Sequence, residues 1–178
     1  KRLQMERKSL DVALFAGGND LGMEGQIAGK PLQMPWVSSG PVLVQTDAQS
    51  PFVNVHPIGS QGVRLSGGLK TDGIRYVFDP GLRAGANTKI YFNIDFRIAS
   101  DSGEGVTRLY LGQGVVQSLA VEFSVTESQL FLKNGAQWEL VASIKPGKWY
   151  SLQIELDTAR RTYHGTVASL EASTTFSG

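Results

Sequence analysis

Apolar and polar positions alternate one by one in NTKIYFNIDFRIAS, where Ile90, Phe92, Ile94, Phe96 and Ile98 interleave with Lys89, Tyr91, Asn93, Asp95 and Arg97. A two-residue period places all five apolar side chains on one face of a β-strand. Full burial of each contributes roughly 1.5 to 3 kcal/mol, so this strand alone supplies a substantial part of a core. The same alternation recurs in KWYSLQIELD, which sets Tyr150, Leu152, Ile154 and Leu156 against Trp149, Ser151, Gln153 and Glu155. TARR then separates it from the strand-like TYHGTVAS, so a hairpin is expected. In QLFLKNGAQWELV two runs flank Asn134-Gly135, a pair suited to the positive φ values of a type I′ turn, which predicts a second hairpin.

Shorter runs of the same texture are VALF, PVLVQ, FVNV, GVRL, GIRYVF, VTRLYLG and LAVEFSV. With 21 glycines and seven prolines as punctuation, they give about a dozen strands with turn signals every eight to twelve residues or so. This spacing predicts an all-β fold, a two-sheet antiparallel β-sandwich. Residues 1–10 differ: Leu3, Arg7 and Leu10 fall near one helical face and Glu6 lies close to Lys1 and Arg2. A short N-terminal helical segment, a linker or the tail of something preceding, is expected there, with one sandwich domain over 11–178.

A length of 178 residues suits one domain with a real core. Seventeen basic against sixteen acidic residues leave a formal charge of +1, too little for a field that would select nucleic acid or an anionic membrane. No cysteine is present, which removes disulfides, thiol catalysis and cysteine-rich zinc sites. No segment approaches the ~18 apolar residues of a membrane-spanning helix, so no membrane insertion is expected. The start at Lys1 and the end at Ser177-Gly178 suggest a domain excised from a larger protein.

Lys148-Trp149-Tyr150-Ser151-Leu152-Gln153-Ile154-Glu155-Leu156-Asp157, followed by Arg161-Thr162-Tyr163, resembles the late hairpin of laminin G-like jelly rolls in the concanavalin A-like lectin and glucanase superfamily. The preceding VEFSVTESQLFLKNGAQWELV is similar to that superfamily's run of strands, and ALFAGGNDLGMEGQIAGKPLQMPW to the entry segment of its bacterial members. The likeness is specific over residues 118–169. It implies a concanavalin A-like jelly roll whose concave face or edge loops bind carbohydrate. It further implies an accessory module of a larger exported bacterial protein, periplasmic or at the cell surface, with other domains of that parent as partners.

Retaining glucanases of this superfamily carry E-x-D-x-E on one strand. Their chemistry needs two carboxyl groups about 5 to 5.5 Å apart, and residues four apart on a strand begin about 13 Å from each other. Here Glu155 and Asp157 supply E-x-D, but Ala159 occupies the third position. Asp157 is better read as the first residue of the turn before Thr158-Ala159-Arg160-Arg161, accepting backbone N–H bonds. No catalytic residue is expected, and the protein is read as no enzyme.

His56 and His164 stand in separate segments without metal-like spacing, and no G-x-S-x-G elbow accompanies the serines. Asp101-Ser102-Gly103-Glu104-Gly105 and Thr71-Asp72-Gly73 carry oxygen ligands suited to calcium, the one cofactor left open, but both also suit plain turns. Gly112-Gln113-Gly114 lacks the helix and lysine of a phosphate loop. The remaining candidate is the polar side of the long strand, Tyr91, Asn93, Asp95 and Arg97, with Arg108 and Tyr110 alongside. An aromatic ring for the apolar face of a sugar, beside amides and charges for its hydroxyls, is the chemistry of a carbohydrate site. The bland alternative is a solvated sheet face held by cross-strand pairs. Trp138 and Trp149 read as packing residues, and Trp36 as either packing or platform. Three functions follow: a non-catalytic carbohydrate-binding module, a structural or protein–protein interaction domain, and a divergent glycoside hydrolase.

Overall fold

A computed structural model describes residues 26–34, 36–46, 50–52, 61–66, 72–76, 89–99, 105–112 and 119–178. The described residues are all-β, with no helix among them. The expected helical segment at 1–10 and the VALF run lie outside them, as does most of FVNV. By its internal contacts the chain divides into two compact units, Lys1–Ala84 and Gly85–Gly178.

In the first unit, β1 (Trp36–Ser39) pairs with β4 (Gly73–Tyr76) and β2 (Val42–Gln45) with β3 (Gly62–Leu65), all antiparallel and nested. Gly40 separates β1 from β2 with φ +78°, and a side chain there would also run into Asp72. Only glycine meets both conditions. Val42 and Val44 are buried while Leu43 between them is exposed, the signature of a half-buried strand. Trp36 stands opposite Tyr76, with the rings edge to face at 5.0 Å, so this tryptophan is a packing residue.

The second unit is a sandwich of two four-stranded antiparallel sheets. One has the order β12-β11-β10-β5, from β5 (Lys89–Arg97), β10 (Trp149–Asp157), β11 (Thr162–Ala168) and β12 (Ser173–Ser177). The other runs β6-β7-β8-β9, from β6 (Thr107–Gly112), β7 (Leu119–Val125), β8 (Gln129–Asn134) and β9 (Gln137–Ser143). The two strands of strongest alternation pair along their whole length: Phe92, Ile94 and Phe96 stand opposite Ile154, Leu152 and Tyr150. These side chains meet Val121, Phe123, Val125, Leu130 and Leu132 of the facing sheet in one core. Phe96 stacks on Tyr150 at 5.8 Å, and Phe123 meets Phe176 edge to face at 5.3 Å. Room for Phe176 is made at Gly165, where a methyl group would collide with that ring and with the Gln153 carbonyl.

Both expected hairpins form. The β8–β9 loop consists of Gly135-Ala136, because Asn134 already pairs with Gln137. Gly135 has φ +59° and Ala136 is not in the left-handed region, which is the II′ pattern and not I′. The turn is therefore one residue later than Asn134-Gly135 suggests, with glycine in the first central position.

Candidate functional site

Because alternate residues of each strand seal the core, the others form two outer faces, one per sheet. On the first sheet the outer face runs across β5, β10 and β11. Its rows are Arg97 and Trp149; Asp95, Ser151 and Ala168; Asn93, Gln153 and Thr166; Tyr91, Glu155 and His164; and Lys89, Asp157 and Thr162. Most of these side chains are tied to one another. The Arg97 guanidinium lies 5.1 Å from the centre of the Trp149 ring, so Trp149 is outside the core. The Ser151 hydroxyl donates to Asn93 Oδ1 at 3.2 Å. Ser151, Gln153 and Thr166 in the middle of the face are buried. Gln153 is 5% exposed, and both heteroatoms of its carboxamide lack a hydrogen-bond partner.

At the far end of this face Glu155 is the hub. Lys89 Nζ donates to its Oε1 at 2.5 Å, and His164 Nε2 lies 3.7 Å from Oε2. A neighbouring acid is thus given to His164 by the neighbouring strand, where sequence adjacency shows none. Burial pushes the Glu155 carboxyl up, but hydrogen bonds from Lys89 and Tyr91 and the charge of His164 outweigh it, and the group ends below its ordinary value. The Tyr91 hydroxyl is raised by burial and by the Glu155 charge, and the Lys89 ammonium by its hydrogen bond to Glu155. Asp157 takes the turn role expected of it: its Oδ1 accepts the backbone N–H groups of Ala159 at 3.1 Å and Arg160 at 2.9 Å. The turn closes through Arg161 at φ +57°, a conformation rare outside glycine. An open depression of about 320 Å³ beside it is lined by Lys89, Asp157, Ala159 and Arg160.

The outer face of the second sheet has the opposite character. Tyr110 stands opposite Glu122 and Lys133 opposite Trp138, and the Lys133–Glu122 salt bridge joins these pairs into one row across four strands. A second row contains Arg108, Ser124, Phe131 and Leu140. Glu122 is 5% exposed, yet both its oxygens are satisfied: Arg108 Nη1 donates to Oε1 at 2.8 Å and Lys133 Nζ to Oε2 at 2.9 Å. The two cations converge on Trp138, 5.6 and 5.8 Å from the ring centre. Around this cluster the apolar surface stays open, with Tyr110 53%, Trp138 38% and Leu140 57% exposed.

The expected strip is therefore divided. Tyr91, Asn93, Asp95 and Arg97 share one outer face. Arg108 and Tyr110 are not alongside them, because β6 belongs to the other sheet and its polar side points away across the sandwich. Trp138 is a surface residue of that second face, contrary to the packing role expected. Sequence pattern alone singles out neither Glu122 nor Lys133; the one signal is the acid at the centre of LAVEFSV, flanked by core positions on both sides. Of the calcium candidates, Thr71 and Asp101 to Glu104 lie outside the described residues, and among those described no three His, Asp or Glu side chains gather around one point. His56 also lies outside them. The chain matches no family model, no curated protein and no solved structure. None of these comparisons identifies a laminin G-like or concanavalin A-like domain.

Proposed function

We propose that this protein is a non-catalytic carbohydrate-binding module, a jelly roll of the concanavalin A-like kind, serving a larger exported bacterial protein, and that it binds through the outer face of the β6-β7-β8-β9 sheet. One observation carries the reading: Tyr110 and Trp138 open to solvent at the two ends of a row whose middle is Glu122 and Lys133, with Arg108 reaching Glu122 from the neighbouring row. Exposed rings spend no packing energy in the core and are available to the apolar face of a sugar. At about 4.8 Å per strand the row spans about 14 Å, so one oligosaccharide can lie across all four strands. Held by mutual salt bridges, the charged side chains lose little further freedom when they meet hydroxyl groups.

Three of the described carboxylates are in keeping with a non-catalytic role. The general acid of a glycosidase needs a raised pKa, a role that Glu155, held below its ordinary value, does not fit. Asp157 is committed to its turn and Glu122 to two cations. The test is a glycan screen at millimolar ligand with the wild type and with Tyr110→Ala and Trp138→Ala, folding being checked by circular dichroism. Saturable binding that falls about tenfold or more in either variant is expected. No binding to any glycan, or binding indifferent to both substitutions, would refute the assignment.

A further inference from the structure

Building on the carbohydrate-binding reading of the β6-β7-β8-β9 face, we infer that its ligand is an acidic saccharide, one whose units carry carboxylate groups. Two cations surround one carboxylate in this cluster, so the face keeps a net single positive charge after its internal pairing. The donors are not exhausted. Arg108 gives only Nη1 to Glu122 and Lys133 gives one bond, while their side chains remain 58% and 40% exposed. A guanidinium has five N–H donors and an ammonium three, so both retain solvent-facing hydrogens directed by the bonds already made. The remaining guanidinium edge fits a carboxylate as a two-bond fork.

The neighbouring chemistry narrows the ligand further. Among the described residues of this outer face no second acid opposes an incoming anion: Ser124, Phe131, Tyr110 and Leu140 complete the two rows. Trp138 lies against both cations and keeps one end of the row apolar. A ring with an apolar side and a carboxylate at its edge, the form of a uronic acid, matches this juxtaposition. A neutral sugar leaves the positive charge unanswered, and a simple anion leaves the rings unused. Glu122 holds the two cations at a fixed spacing and belongs to the positioning of the site.

The inference is tested by titrating the purified chain with oligogalacturonate, oligomannuronate and hyaluronan oligomers, each beside its own methyl ester, which keeps the sugar rings and removes the charge. The expected result is that at least one acid form binds about tenfold or more tighter than its ester at low salt. The gap should close as salt is raised to about 0.5 M, where charges farther apart than a few ångströms are screened. Arg108→Gln should shrink the preference. Lys133→Gln is measured in parallel, so that one misfolded variant does not decide the outcome. Equal or tighter binding of the esters, or binding of neutral glycans alone, overturns the acidic preference and leaves the carbohydrate reading intact. Binding of no saccharide overturns both.

Discussion

The two outer faces of the sandwich are built from the same alternation yet end in opposite states. On the β12-β11-β10-β5 sheet the polar side chains answer one another, Glu155 with Lys89 and Tyr91, Ser151 with Asn93, Arg97 with Trp149, and the middle of the face is buried. On the β6-β7-β8-β9 sheet the charges also pair, but around one carboxylate, and the rings at the ends of the row are left to solvent. Polarity along a strand therefore does not mark a site. What distinguishes the second face is exposed aromatic area and unspent donors beside a fixed charge.

The largest effect is expected at the joint that holds the two faces back to back. Gly165 on β11 admits Phe176, whose ring reaches Phe123 of the other sheet. Gly165→Ala places a methyl group against the Gln153 carbonyl and the Phe176 ring, and backbone cannot yield as a flexible side chain would. A loss of about 1 to 3 kcal/mol is expected in chemical denaturation, as for other overpacked sites. Saccharide binding by the folded fraction should weaken as well, since the second sheet loses its backing. Unchanged stability would show that Phe176 is not seated over Gly165.

Next in size is a gain. The Gln153 carboxamide is buried with neither donor nor acceptor matched. An unsatisfied buried polar group costs about 1 to 3 kcal/mol. Gln153→Met keeps length and flexibility and removes the mismatch, so stability is expected to rise by about 1 kcal/mol. A fall would mean that the amide has a partner, such as an ordered water, and would make the first face a second candidate site.

How far these features are legible in sequence follows from their range. Strict alternation in Lys89–Arg97 and Trp149–Asp157 is local, and both strands, the hairpin after Asp157 and the aspartate's role in its turn follow from it. The II′ turn is harder, because Asn134-Gly135 fits two loop registers and only pairing of Asn134 with Gln137 selects one. That choice also sets the cross-strand neighbour of Trp138, which is Lys133 here and would be Phe131 in the other register, on the same face of the sheet. The place of Arg108 and Tyr110 is set nonlocally: consecutive strands β5 and β6 enter different sheets, and nothing in VTRLYLG states which. β12, with the sequence STTFS, carries one apolar anchor, Phe176, and gives almost no periodic signal.

A smaller effect separates the faces by pH. Glu155 has its carboxyl held below the ordinary value of 4.5, so it adds stability that is full above about pH 4.5 and lost as pH falls through the lower folded value. Lys89 is raised above 10.5, so its contribution is full below that pH and lost as pH rises through the folded value. The groups facing Glu155 are Lys89, Tyr91, His164 and Asp157. Melting temperature followed from pH 3 to pH 7 should therefore fall on the acid side in the wild type and fall less steeply in Glu155→Gln. Identical acid limbs would place the sensitivity elsewhere.

The smallest expected effect is the one that most sharpens the contrast. Tyr110 is the open ring of the second face; it is more than half exposed and belongs to no core contact group. Its removal deletes little buried area, and surface substitutions of this kind change stability by less than about 0.5 kcal/mol. Tyr91, the corresponding ring of the first face, is half-buried and bonded to Glu155, so Tyr91→Ala breaks a cross-strand pair and costs more. Measuring both alanine variants by urea denaturation alongside saccharide titration separates the two roles. Tyr110→Ala should lose binding at nearly full stability, and Tyr91→Ala should lose stability and keep binding. The reverse pattern would exchange the two faces, and with them the surface at which this protein meets its ligand.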